Sequence, residues 1–599
     1  MRKPWSISTT VRNPERLRNF LRVLEELENE NFDRDNQIKY QILLIQNKFY
    51  KPTNVPQKMK QHYDSLNPMP YEDAETIFYE QRYVDPAMRG RQSANPLNKL
   101  GFSIARESLG SVVITPLGKK FLSGDYDVST VFFKSLLKFQ FPNPWSDDFS
   151  RERGFNITPL IATFHLISEL NKKSPKQGLN KDEFSIFIPT LINVNQIDEY
   201  VERILEYREE KNKDNYIRNF AYEFYQTTQV SAQMINNFFE YGDNTMRYFR
   251  LTKYFRVETD PLGYYWTINL ESSRQVEINQ LLSIYNGEII KKYESFKEYL
   301  NYISDFSQPE LPWEKIENIR KVTLSVKDTI LELLKKPGLP ITQEQLEIVN
   351  SDISLLSVNE LEKYISKLRN INLELKEKIR KKQLVGNKTK TKQIIDLLRD
   401  RKQIRRVRPE QFEKLITDAF KIVNDEIKIK PNFPVDDEGE PIMHAPGGKP
   451  DIECFYQTFK AICEVTLNTS GKQWVQEGQP VMRHLREFEM QNSDDEGKIF
   501  CVFLAPLIHN DTYNTFWISV KYEYDGTPQK IIPMTTEQFT IVLETLLTRL
   551  NRGQSFSHRE LYALFSQIIA NSQDLNSFSD WANAVQNNLI KWSTRLVSV

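Results

Sequence analysis

Asp451 and Glu464 stand thirteen residues apart in two short runs rich in β-branched, aromatic and cysteine residues. The first run is Asp451-Ile452-Glu453-Cys454-Phe455-Tyr456, the second Lys460-Ala461-Ile462-Cys463-Glu464-Val465-Thr466, and Gln457-Thr458-Phe459 joins them. This pattern predicts a β-hairpin. Alternation along the second strand puts Ile462, Glu464 and Thr466 on one face and Cys463, Val465 and Leu467 on the other. A carboxylate among such apolar neighbours costs free energy unless a cation meets it. Two carboxylates on adjacent strands offer an oxygen site for Mg²⁺. Pro-Asp, a dozen residues and Glu-x-Lys is the pattern of a restriction-endonuclease-like nuclease core, with Thr466 here where lysine is usual. The bland alternative is a solvated hairpin end.

Other elements must surround such a hairpin. Arg408-Pro409-Glu410 opens a helix whose apolar side carries Phe412, Leu415, Ile416, Ala419 and Phe420, with Glu413 on its border. A strand over 426–430 and an acidic turn at Asp436-Asp437-Glu438-Gly439 precede the hairpin. After it, Glu477, Val481, His484 and Phe488 recur at helical spacing over Trp474 to Met490, which puts Glu477 and His484 on one face. Ile499 to Leu504 reads as a fully buried strand. Helix, three strands, helix, strand is the order of that nuclease core. Phosphodiester hydrolysis needs an activated water and charge neutralisation at the phosphate, and Mg²⁺ held by carboxylates supplies both. Asp451 and Glu464 are the expected metal ligands. Glu477 or His484 then positions water or stabilises charge, and His444 is a further candidate.

The chain of 599 residues, 39% hydrophobic, is too long for one core. Its 80 basic and 80 acidic residues cancel, so any nucleic-acid site depends on local clusters. Cys454, Cys463 and Cys501 lie in strand-like runs without metal-knuckle spacing, as expected of buried thiols in a reducing cytosol. No apolar signal core or membrane-length run is present, so an intracellular protein is expected.

Residues from Pro14 to about Asn47 carry helical periodicity, after Ser8-Thr9-Thr10-Val11-Arg12, a surface loop or a phosphate contact. A stretch containing Arg89, Arg91, Asn95 and Lys99 precedes a predicted hairpin around Ser108-Leu109-Gly110 and a helix start at Thr115-Pro116. Helices followed by a two-stranded hairpin is the order of a winged helix-turn-helix. Arginine or lysine can reach guanine there, and asparagine can pair with adenine. An ordinary basic loop capping a helix is the competing reading. The plan recurs where Met246 to Leu251 leads through Tyr254–Glu258, the turn Asp260-Pro261-Leu262-Gly263 and a return strand to Leu270, with Arg247, Arg250 and Arg256 nearby. From 291 to 400 the chain reads as helical and polar, broken at Lys335-Lys336-Pro337-Gly338-Leu339-Pro340. Between Lys376 and Arg408, fourteen Lys/Arg face three Asp/Glu, a composition suited to a helical linker tracking DNA.

The chain resembles the AlwI family of type IIS restriction endonucleases and their nicking relatives. The resemblance rests on His444-Ala445-Pro446-Gly447 with Lys449-Pro450-Asp451, on Cys463-Glu464-Val465-Thr466, and on Glu477, Pro480-Val481 and Arg483-His484. Glu-Val-Thr is the family's own form of the motif; Cys463 departs from it, replacing glycine. The resemblance implies an active site of Glu413, Asp451, Glu464, Glu477 and His484, with Asp451, Glu464 and Glu477 toward Mg²⁺. The expected fold is multidomain α+β. Residues 1–290 form a DNA-recognition region with two winged-helix-like units, 291–400 a basic helical linker, and 401–599 the endonuclease domain. Arg12, Arg89, Arg91, Asn95, Lys99, Arg247 and Arg250 are the expected contacts to double-stranded DNA. The implied setting is the cytoplasm of a prokaryote. Cleavage of both strands implies a transient homodimer or a small-subunit partner; a strand-specific nicking enzyme shares the chemistry. A non-catalytic winged-helix regulator is the rival of another class.

Overall fold

The computed structural model describes residues 2–8, 10–65, 68–124, 127–146, 148–259, 266–336, 339, 341–423, 425–493 and 498–598. It is a mixed helix and strand protein, with three sheets among the described residues, and it divides into two compact units. One comprises Met1–Glu258, Trp266–Lys336 and Ile341–Asn372; the other comprises Thr259–Tyr265, Pro337–Pro340 and Leu373–Val599. Among the described residues no helix is long and apolar enough to cross a membrane.

In the first unit the periodic stretch after Pro14 is two helices, Leu17–Glu25 and Arg34–Gln46. The break is built by backbone pairing: Glu28 and Asn31 bridge to Val112 and Ser111, Asn29 takes a left-handed φ of 72°, and Asp33 caps the second helix through the Asn36 amide. Apolar spacing alone carries no signal for such a detour. Arg89, Arg91, Asn95 and Lys99 lie on the helix Pro86–Lys99. Strands β1 (Ser103–Ile104) and β2 (Val113–Ile114) follow as an antiparallel pair, and Thr115 caps the helix Pro116–Ser123 through the Gly118 amide. Strand β3 (Leu179–Asn180) joins β4 (Phe255–Thr259) and β5 (Trp266–Leu270) in the order β3-β5-β4. The predicted turn Asp260-Pro261-Leu262-Gly263 lies outside the described residues, as do Thr9, Pro337, Gly338 and Pro340.

The second unit is organised on one sheet. Its strands are β6 (Lys428–Pro431), β7 (Ile452–Phe455), β8 (Lys460–Val465), β9 (Ile499–Ala505) and β10 (Ile531–Thr535), in the order β10-β9-β8-β7-β6. The pairs β6–β7 and β7–β8 are antiparallel, whereas β8–β9 and β9–β10 are parallel. Every residue of β9 is buried, as a central parallel strand covered on both faces requires. The helix Pro409–Val423 packs Phe412, Ile416, Ala419 and Phe420 into the core that this sheet shares with helices Thr536–Asn551, His558–Gln573 and Phe578–Ser598. Each large apolar side chain so enclosed contributes about 1.5–3 kcal/mol.

The segment predicted as one helix from Trp474 differs. Trp474–Gly478 is a π-helical turn, and the α-helix runs from Gln479 to Gln491 with Pro480 in its first turn. Proline is tolerated there because the first-turn amides lack helical acceptors.

Much of the basic excess after Lys376 is consumed inside the second unit. Lys376 pairs with Glu438, Arg380 with Glu440, Lys381 with Glu426, Arg399 with Glu544, Arg401 with Glu537 and Arg408 with Glu410. Five of those partners lie 45 or more residues away in sequence, beyond the reach of local charge patterning.

Candidate active site

The register of the β7–β8 hairpin pairs Ile452 with Cys463, so one step further out Asp451 lies opposite Glu464. Residues directly opposite each other share a face of the sheet. The two carboxyl groups are close enough for the charge of Glu464 to bear on Asp451. Asp451 Oδ2 also accepts the Val465 amide at 2.8 Å. Just beyond β6, Asn432 secures the start of β7: its backbone N–H donates to the Asp451 carbonyl at 2.9 Å and its side chain to the Pro450 carbonyl at 2.8 Å.

Two helices complete the arrangement. From Gln479–Gln491, His484 meets Glu464 Oε1 through Nδ1 at 2.8 Å, and both side chains are only 8% exposed. Glu477, in the π-helical turn, hydrogen-bonds the Thr466 side chain and lies within electrostatic reach of Asp451, Glu464 and His484. From Pro409–Val423, the buried Glu413 accepts the Ala445 amide at 2.9 Å and adds its charge beside Asp451. The structure therefore brings Glu413, Asp451, Glu464, Glu477 and His484 together. His444, half-buried, stands near enough to Glu413 to favour its ionised form.

The electrostatics follow from enclosure. Burial is the largest cause at each acid. Asp451 is pushed well above the usual carboxylate range by burial and then by Glu464 and Glu477. Glu464 rises likewise through burial and Glu477, and Glu477 through burial alone, opposed by Thr466 and His484. Glu413 is pushed up to about 9 by burial and by Asp451. Burial lowers His484, with Arg483 acting in the same direction. When Glu464 is protonated it offers the imidazolium no counter-charge. Such a cluster calls for positive charge, and Lys449, two residues before Asp451, is exposed to solvent. Among the described residues no three His, Cys, Asp or Glu side chains already stand in a metal-ligating arrangement. The donor set nevertheless fits a hard divalent cation, because carboxylate oxygens crowd together; beside them, among the described residues, the buried His484 Nε2 has no hydrogen-bond partner.

Gln473 is a support that sequence reasoning missed. Fully buried immediately before the π-helical turn, it donates to the Asn468 and Leu507 carbonyls at 2.6 and 3.0 Å and accepts the His509 amide at 2.8 Å. Replacing Gln473 with alanine strands three part-buried backbone groups and is expected to destabilise the protein by about 1–2 kcal/mol. Urea unfolding checks this; an unchanged midpoint would refute it. Asn432 also escaped notice, although a polar residue within Pro431-Asn432-Phe433-Pro434 was a usable signal.

The residues expected on DNA are differently placed. Arg12 is exposed and pairs with Glu240 at 3.2 Å. Arg91 donates to Gln37 and Asp85 at 2.9 and 2.6 Å, and the Arg89 guanidinium lies over the Tyr83 ring at 4.7 Å. Asn95 is exposed. Arg247 holds Asp243 at 3.0 Å and Asn13 at 2.9 Å. Arg250 is buried at 2% exposure, and Lys99 reaches inward to the Ser6 carbonyl at 3.5 Å, its ammonium lowered to about 8 by desolvation.

A mixed sheet whose central hairpin brings acids from two strands and two helices into one enclosed cluster is the core of a nuclease. The family model described as the AlwI restriction endonuclease matches residues 98–542, most of the chain, and the protein belongs to that family. Among solved structures, the small subunit (R.BspD6I2) of the heterodimeric restriction endonuclease R.BspD6I is 24% identical. That match covers 33% of this chain and 98% of that one, with a TM-score of 0.28. The restriction endonuclease FokI is 12% identical, covering 94% of this chain and 99% of its own, with a TM-score of 0.22. Likenesses this loose place no individual residue. No curated protein matches the chain.

Proposed function

We propose that the protein is a Mg²⁺-dependent type IIS endonuclease, hydrolysing phosphodiester bonds of duplex DNA a few base pairs from a short asymmetric site. The observation that carries this reading is the enclosure of Asp451, Glu464 and Glu477 together, with all three carboxyl groups displaced toward protonation. Asp451 and Glu464 would hold the ion, with Glu477 beside them. When bound, the ion supplies positive charge at the phosphate and eases the ionisation of water.

The protein's own groups supply orientation and proton transfer. With Glu464 ionised, His484 Nδ1 carries the proton and donates to it, which leaves the Nε2 lone pair as acceptor for a proton from the attacking water. The lowered pKa keeps that nitrogen free at neutral pH. Thr466 steadies Glu477, occupying the place where related cores carry lysine, so His484 takes over part of that lysine's work. Glu413 fixes the loop before Asp451 through the Ala445 amide.

Residues 1–290 would recognise DNA through two winged-helix-like units, 291–400 would link, and 401–599 would cut. Arg12, Arg89, Arg91, Asn95 and Arg247 are the residues best placed to meet DNA; burial removes Arg250 from the surface. One active site cuts one strand at a time, so double-strand cleavage takes a second copy or a small-subunit partner.

The test is supercoiled plasmid incubated with the purified protein in Mg²⁺ or EDTA. Discrete linear fragments in Mg²⁺ alone are expected, with ends offset from a common sequence. Open circles alone would assign the protein to the nicking enzymes. Sequence-specific retardation without cleavage on any plasmid would overturn the catalytic reading in favour of a DNA-binding regulator.

A further inference from the structure

The acidic turn before the catalytic hairpin is gripped from two helices. Asp436 builds the turn: its Oδ1 accepts the Glu438 and Glu440 amides at 3.0 and 2.8 Å, and Gly439 takes a φ of 75° at its tip. On the C-terminal part of the helix Val358–Leu384, Lys376 meets Glu438 at 2.5 Å, and Arg380 donates to the Gly439 carbonyl and to Glu440 Oε1, both at 2.8 Å. A Cβ added to Gly439 would come within 3.0 Å of the Arg380 guanidinium, so only glycine sits comfortably in this grip. From Pro409–Val423, Lys414 binds both oxygens of Glu440 at 2.6 and 2.7 Å. Glu440 is thus a two-cation anchor with 15% of its side chain exposed.

Lys414 directly follows Glu413, whose carboxylate holds the Ala445 amide. Two consecutive helix residues therefore fasten the same loop at positions five residues apart, one by charge at Glu440 and one by hydrogen bond at Ala445. Six residues beyond Ala445 the chain reaches Asp451. Charge-assisted contacts of this sort are stronger and more directional than neutral ones.

We propose that Arg380 and Lys414, acting through Glu440, are positioning residues that set the register of the 440–451 loop and so the placement of Asp451 against Glu464. The proposal rests on the nuclease reading of that site. It gives a use other than DNA contact to part of the basic segment, because these cations are spent on the turn.

A double-mutant cycle on the full-length protein tests it, using Arg380→Ala, Glu440→Gln and the pair. Arg380→Ala is expected to lower kcat by about a hundredfold, as a displacement near 1 Å does, with KM for plasmid unchanged. The double variant is expected to lose no more than the worse single, because each change breaks the same connection. Multiplying losses, or a raised KM with a shallower salt dependence, would instead make Arg380 a phosphate contact and overturn the proposal. Should Arg380→Ala not melt cooperatively, Arg380→Lys is read in the same assays, with a smaller kcat loss expected and an unchanged kcat overturning the idea. Amide exchange provides a readout independent of cleavage: protection at Ala445 should fall in Arg380→Ala while β9 stays protected. Inactive wild-type protein would refute the nuclease reading, and the Ala445 exchange would still decide the positioning one.

Discussion

Asp451→Ala is expected to abolish DNA cleavage, by about 10⁴-fold or more, while DNA binding stays close to that of the unaltered protein. The size follows from what Asp451 touches. Its carboxyl group adjoins Glu464, accepts the Val465 amide and provides one side of the proposed cation site. Losing it removes a ligand and the geometry of another ligand together. Binding is expected to survive because the residues proposed to meet DNA belong to the other unit. Asp451→Asn separates chemistry from folding: it keeps the volume and an acceptor for Val465 and replaces a buried acid with a group that cannot ionise. That variant is expected to be as inactive as the alanine form and at least as resistant to urea in EDTA. Single-turnover cleavage with gel retardation decides the matter; near-normal cleavage by either variant would dismiss Asp451 from the site.

The second large effect is on stability as a function of pH without divalent cations. Glu413 ionises near 9 in the folded protein, against an ordinary carboxylate range near 4.5 in the unfolded chain. Between those values the folded state keeps a proton that the unfolded state has released. A group raised in this way favours folding at low pH, and the benefit is lost as pH rises toward 9. One such proton gives a fall of up to about 1.4 kcal/mol per pH unit, and the upward shifts at Asp451, Glu464 and Glu477 act in the same sense. Urea unfolding in EDTA should therefore show declining stability from about pH 5 to 9. Glu413→Gln, which cannot ionise, should flatten the slope, and Mg²⁺ should raise stability most at the alkaline end. A metal-free protein most stable at pH 9 would contradict the enclosure of these acids.

The site was more legible in sequence than its supports. Asp451 and Glu464 announced themselves because strand patterning has a short period and the hairpin is local, so register could be counted. Strand β9 was equally plain as an unbroken apolar run. The π-helical turn was not, because Glu477 and His484 at a spacing of seven satisfy an ordinary helix; Pro480 was the available hint. Strand β10 and the four helices after residue 509 went unread, their apolar faces being defined only by the sheet they cover. The basic segment misled for a related reason: Arg399 and Arg401 find Glu544 and Glu537 more than 130 residues on. Arg250 shows the same limit, since an arginine among aromatics looks alike whether it faces solvent or core.

Cys454, Cys463 and Cys501 are completely buried, one on each of three successive strands of the catalytic sheet, and enclosure raises each thiol above its ordinary range. Thiolate is the reactive form, so the folded protein is slow toward alkylating reagents at all three positions. The sheet thus carries its own chemical clock: modification of Cys454 or Cys463 records the moments when the hairpin bearing Asp451 and Glu464 has come open, and Cys501, in the buried centre, keeps time for the strand beside it.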